Sequence, residues 1–177
     1  MSSTLAIKTI LRREIMRILQ EDLTFSVLGE DSGKPISPKN VIFQKTRVQR
    51  SRSHEKANQL LDLPALVISS AIASTTLETG GTNNNDLWVY RWLVQLLDKD
   101  FWSQENRIAT WEKWGEQIVS YFMFAGMNGV VTLPQGEIWW SNATEVEGVD
   151  EKSWIAESDF IKGWEITVKV LQPRGII

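Results

Sequence analysis

The stretch Asp86 to Asp98, DLWVYRWLVQLLD, constrains the fold more than any other part of the chain. Its even positions Trp88, Tyr90, Trp92, Val94 and Leu96 are all large and apolar, while the odd positions set Arg91 and Gln95 among Leu87, Val89, Leu93 and Leu97. Alternation with a period of two is the pattern of a strand with one face on a core. At ~3.3 Å per residue, Leu87 to Leu97 spans roughly 35 Å, long for a strand in a small domain. Burying five such side chains contributes on the order of 10 kcal/mol before conformational entropy is subtracted. Upstream lie the turn-forming cluster Thr79 to Asp86 and, before it, the apolar run Leu63 to Ile72. The two runs predict a hairpin with a long polar tip.

A chain of 177 residues, 42% of them hydrophobic, can bury one core, which predicts a single domain over 1–177. The net charge of -3 argues against a generic nucleic-acid binder, whose footprint is a basic domain. With no cysteine in the chain, disulfides, thiol catalysis and thiolate metal sites are excluded. The N-terminal stretch carries Lys8, Arg12, Arg13, Glu14 and Arg17 among its apolar residues, so it lacks the uninterrupted core of a signal peptide. No window reaches the ~20 apolar residues of a membrane span. These features predict a cytoplasmic protein without a membrane partner. Nine tryptophans stand out, and aromatics of that size serve cores and interface anchors alike.

Further signals fill in the order of elements. Ser2, Ser3 and Thr4 are candidate caps for a first helix from about Thr4 to Glu21, with Ile7, Leu11, Ile15 and Ile18 as its apolar stripe. Residues Gly29 to Asn40 are rich in glycine, proline and polar groups, and a mobile loop is expected at about 29–58, interrupted by a short strand at Val41 to Phe43. A second helix is expected from about Ser103 to Phe122, with Ile108, Trp111, Gly115, Ile118 and Phe122 facing the sheet and Gly115 permitting close approach. Val130 to Leu133, Glu137 to Val146 and the alternating run from Phe160 to Val170, stopped by Pro173, read as strands. The expected class is α+β: an antiparallel or mixed sheet with two helices packed on one face and long irregular loops.

Catalytic patterns are scarce. The single histidine, His54, has no nucleophile or carboxylate pair near it in sequence, which argues against a zinc or transition-metal site. The carboxylate pairs Glu21 and Asp22, Glu30 and Asp31, and Asp150 and Glu151 all fall in polar, turn-like stretches and read as solvated surface. Gly80-Gly81-Thr82-Asn83 lacks the lysine and spacing of a phosphate loop and precedes a strand. Neither an enzymatic activity nor a cofactor is expected. The strongest charge asymmetry is Lys45 to Lys56, where Lys45, Arg47, Arg50, Arg52 and Lys56 oppose Glu55 alone. It reads either as a solvated loop or as a contact to DNA or an acidic partner, and the second option makes a nucleic-acid binding module one alternative function.

The segment LPALVISSAIASTTLETGGTNNNDLWVYRWLVQLLDKD, from Leu63 to Asp100, resembles the signature region of tail terminator proteins of long-tailed bacteriophages, also called tail completion or neck proteins. Leu63 to Val67, Gly81-Thr82-Asn83, Asp86, the strand to Leu97 and Arg107 follow the order of that family, and WEITVKVLQPRG, Trp164 to Gly175, is similar to its last strand and Pro-Arg-Gly ending. The insertion Gly29 to Lys56 and the pair Trp139-Trp140 depart from it. The resemblance implies a structural virion protein: a ring of about six subunits that caps the tail tube, joins it to the head-side connector and lets DNA pass without sequence-specific binding. It implies residence in the virion tail or neck after assembly in the host cytoplasm. A head-completion, stopper or adaptor protein of the same neck is the near alternative. On this reading Thr82, Asn83, Asn84, Asn85, Trp139 and Trp140 are candidate subunit or partner contacts.

Overall fold

The computed structural model describes residues 6–29, 33–44, 63–78, 85–98, 105–123, 127, 132–146 and 159–174. Helix α1, Ile7–Arg17, is followed by a π turn, Ile18–Asp22, and by a 3-10 turn, Pro38–Asn40, that leads into β1, Val41–Phe43. Then come β2, Ala65–Glu78, β3, Asn85–Asp98, helix α2, Glu105–Phe122, β4, Glu137–Glu145, and β5, Asp159–Pro173. The strands form one mixed sheet in the order β1-β2-β3-β5-β4. Only β1 and β2 run parallel; the other neighbours are antiparallel. The α+β class is thus as expected, with two helices on one face of the sheet.

The alternation in β3 sets the layers. Tyr90, Trp92, Val94 and Leu96 are buried on the helix side together with Leu66 and Ile68 of β2 and Trp164, Ile166, Val168 and Val170 of β5. β3 pairs with β2 on one side and with β5 along its whole length on the other, which makes it the central strand. Leu11, Ile15, Ile18 and Leu19 press the α1 segment onto this face, and Trp111, Trp114, Ile118 and Phe122 press α2 onto it. Each fully buried aromatic or aliphatic side chain contributes about 1.5–3 kcal/mol. The opposite face is also covered toward β1: Val67 and Leu97 pack with Ile42 and Leu63, and Ser69, Val89 and Gln95 are buried. Burial on both faces accounts for the nearly continuous apolar run at the start of β2.

Several expectations are corrected. The first described N-cap is Ala6, which offers no side-chain hydrogen bond, and Ser2, Ser3 and Thr4 lie outside the described residues. Of the expected α2 stripe, Trp111, Gly115, Ile118 and Phe122 are buried, but Ile108 is 43% exposed, and Arg107, Thr110 and Trp114 are buried in addition. The cause is Arg107, whose inward turn satisfies a buried carboxylate described below. Gly115 does sit against the sheet, since a Cβ there would lie 2.8 Å from Cζ2 of Trp164. Thr132 and Leu133 are irregular, with Leu133 buried; a proline and a turn follow them at once.

Two irregularities shift side-chain parity. In β2, Ser70 stands opposite Trp92 and Thr75 opposite Tyr90, so residues 71–74 face Arg91 alone and the strand continues to Glu78, past the expected end at Ile72. In β4, Ile138 pairs with Val170 and Trp140 with Lys169, which leaves Trp139 as an extra, unpaired residue. The bulge exchanges the faces of β4: Ile138 packs on the core before it, and Ser141 and Ala143 are buried after it.

Candidate functional site

Of the residues singled out in sequence, Lys45, Arg47, Arg50, Arg52, Lys56, His54, Thr82, Asn83 and Asn84 lie outside the described residues. Asn85 is described, opening β3 opposite Pro173 of β5. Trp139 and Trp140 part company at the bulge. Trp139 is 55% exposed on the edge strand, whereas Trp140 is half-buried beneath the Lys169 ammonium, 5.4 Å from its ring centroid. Lys169 also pairs with Glu78, at 3.1 Å, so the face away from the helices carries a polar ladder from β2 to β4.

The segments that carry the resemblance meet in space. Asp86, at the start of β3, accepts a hydrogen bond at 3.1 Å from Nε of Arg174, the arginine of the Pro-Arg-Gly segment, beside the Asn85–Pro173 pair. At the other end of β3, the Arg107 guanidinium donates to the Asp98 carboxylate, and Nε1 of Trp111 donates to the same oxygen at 2.8 Å. Arg107 also donates to the backbone carbonyl of Lys34 at 3.2 Å and lies over the ring of Trp114, 5.3 Å from its centroid. Gly33 closes the site from above; its φ of +94° suits glycine, and a Cβ there would lie 2.9 Å from the guanidinium. The sequence pattern ends the strand at Asp98 and does not place Arg107 inside. The legible signal was the spacing of Arg107, four residues before Trp111, on the same helix face as Trp111, Trp114, Ile118 and Phe122.

A second polar cluster joins the two helices. Arg17 donates to Glu14 at 2.7 Å and to Asp22 at 2.8 Å, and the Tyr121 hydroxyl at the end of α2 donates to Asp22 at 2.8 Å. The hydrogen bond from Arg17, then that from Tyr121, holds the Asp22 carboxyl below its ordinary range. Partial burial, reinforced by the bond to Asp22, pushes the Tyr121 phenol up. Tyr90 is likewise raised by burial, against the opposing hydrogen bond it accepts from Gln172. These shifts follow from structural pairing, and the cluster has no nucleophile beside a base. Among the described residues, no group of three histidine, aspartate or glutamate side chains converges to hold a metal ion, and no helix is long and apolar enough to cross a membrane.

Neither a protein-family model nor a curated protein matches this chain.

Proposed function

We propose that this protein is a structural subunit of a bacteriophage neck, of the tail terminator kind, which self-assembles into a ring of about six copies on the end of the tail tube and joins it to the head-side connector. The observation that carries this reading is the convergence of the segments that bear the resemblance: Asp86 binds Arg174, and Arg107 is locked to Asp98 at the opposite end of the same strand. Dispersed motifs that pair in this way behave as parts of one framework. The mixed sheet with both helices on one face leaves β4, with Trp139, at a sheet edge available to a neighbour. A subunit acting by shape needs no catalytic group, and DNA crossing the lumen of a ring needs no basic protein.

Light scattering with negative-stain electron microscopy on the purified chain tests the reading. The expected outcome is growth of the solution mass toward about six subunits with concentration, and annular particles. A protein that stays monomeric up to about 1 mM and forms no ring refutes self-assembly.

A further inference from the structure

We propose that copies of this chain associate head to tail, the α2 and β4 flank of one copy seating against the α1 and β1 flank of the next. The inference rests on the ring reading for closure into a ring, whereas the contact itself stands on charge and topology.

Among the described residues, helix α2 makes its lateral contacts on one side. Residues 22–29 run along it: Lys113 reaches Ser26 at 3.3 Å, Nε1 of Trp114 donates to the Ser26 carbonyl at 2.9 Å, Thr110 accepts from the Leu28 amide at 3.1 Å, and Tyr121 meets Asp22. At 100° per residue the opposite side of the helix carries Glu105, Ile108, Glu112, Glu116 and Met123. All five are exposed, Ile108 and Met123 at 43% and 46%. The three glutamates have no ion pair among the described residues. Because α2 lies over β4 and β5, with the hydroxyl of Ser141 donating to the Phe122 carbonyl at 3.1 Å, this side points outward past the β4 edge. That edge adds Trp139 and the exposed Glu137, while Glu145 there is paired with Lys162 at 3.4 Å. The flank is therefore acidic, with three large apolar side chains spread over four helical turns, roughly 22 Å from Ile108 to Met123.

The opposite flank has the other sign. Helix α1 lies over β1 and β2: Gln20 donates to the Val41 carbonyl at 3.1 Å, Lys8 donates to Ser74 at 2.7 Å, and the Arg12 guanidinium stands 4.3 Å from the Phe43 ring centroid. Lys8 and Arg12 thus line the β1 side, the exposed Arg13 points to solvent on top of the helix, and Glu14 and Arg17 turn toward α2 and neutralise one another. A molecule with an acidic flank at one sheet edge and a basic flank at the other is complementary to itself by translation and rotation, not by a two-fold. That is a heterologous contact, the kind that closes rings. Charge complementarity commits the acidic flank to a second copy as its occupant, with Trp139, Ile108 and Met123 as its apolar anchors.

A charge swap in the full-length chain tests this. Glu105→Lys/Glu112→Lys/Glu116→Lys turns the α2 flank basic like the α1 flank, and Lys8→Glu/Arg12→Glu turns the α1 flank acidic like the α2 flank. Each variant alone is expected to self-associate at least about tenfold more weakly than the parent in low-salt sedimentation. An equimolar mixture is expected to recover assembly with strict alternation of the two, because every contact then joins unlike flanks. That rescue also shows both variants to be folded. The contact is overturned if either variant assembles as the parent does, if the mixture stays dissociated, or if the parent is monomeric at about 1 mM. A monomeric parent that instead binds polylysine through Glu112 and Glu116 overturns it in favour of a basic partner. Six-membered rings indifferent to both reversals overturn the contact and leave the ring reading standing. Assembly that follows the charge swap but yields dimers or open chains keeps the contact and overturns the ring.

Discussion

Replacing Arg107 by leucine tests the account of how α2 is fixed to the sheet. The side chain is 1% exposed and the Asp98 side chain 3%. In the variant the Asp98 carboxylate keeps the Trp111 indole donor but loses its guanidinium, so a charge is left in the interior with its main counter-charge gone. Removing one partner of a buried pair costs about 3–5 kcal/mol. For a chain of this size each kcal/mol lowers Tm by about 2–4 °C, which gives a fall of roughly 6–20 °C. The nine tryptophans provide the readout, through urea unfolding followed by fluorescence, with thermal circular dichroism as a second probe. The double variant Arg107→Leu/Asp98→Asn removes both charges, and it is expected to recover at least half of the loss. A single variant that costs less than about 1 kcal/mol, or a double variant whose cost is the sum of the two singles, refutes the claim that the pair acts as a unit.

Other outcomes follow from the same contacts. Trp139→Ala should change folding stability by no more than about 0.5 kcal/mol in urea unfolding, because the ring is more than half exposed, while weakening self-association measured by light scattering. Gly136→Ala should destabilise by roughly 1–3 kcal/mol in the same assay, since the residue has φ +106° and its Cβ would meet the Leu171 carbonyl. The Asp22 carboxyl is held below its ordinary value, so its contribution is complete above about pH 4 and is lost as pH falls through the depressed value. Asp22→Asn should accordingly flatten the acid side of a stability-against-pH curve. Tyr90 and Tyr121 are the two tyrosines of the chain and both phenols are raised, so ultraviolet titration of the folded protein should reach its midpoint above pH 10 and return to about 10 in urea.

The elements written as strict periodicity were legible in the sequence. The even positions of β3, the run from Trp164 to Val170 and the α1 stripe through Leu11, Ile15 and Ile18 are core positions in the fold. The parallel pairing of β1 was not, because three residues carry no signal of direction. The first turn of α2 misled, with Ile108 exposed and Arg107 inside, because arginine counts as polar in any hydropathy pattern, and Arg107 is buried for its charge, next to a carboxylate nine positions earlier. Bulges are equally silent: nothing in Glu-Ile-Trp-Trp-Ser says that Trp139 falls out of register and that Trp140 turns to Lys169. Of the candidate contacts, Trp139 is exposed and Trp140 half-buried; the tip asparagines 83 and 84 and the basic run lie outside the described residues.

The position of β5 between β3 and β4 also dictates when this chain can fold. During synthesis β1, β2 and β3 emerge early and their pairing is mostly local, but β4 then has no neighbour, and the long side of β3 that ends against β5 stays open. Only when the last strand has left the ribosome can it enter the gap, its partners on β3 lying from 61 residues (Asp98 and Asp159) to 88 residues (Asn85 and Pro173) earlier in the chain. Until then the nascent polypeptide presents an uncapped β3 carrying Trp88, Tyr90 and Trp92, a template for pairing with another nascent copy on the same messenger. Slow decoding or early termination ahead of Asp159 should therefore produce aggregates more readily than a shortened but folded product, and chaperone dependence should be greatest for chains that stop just short of β5.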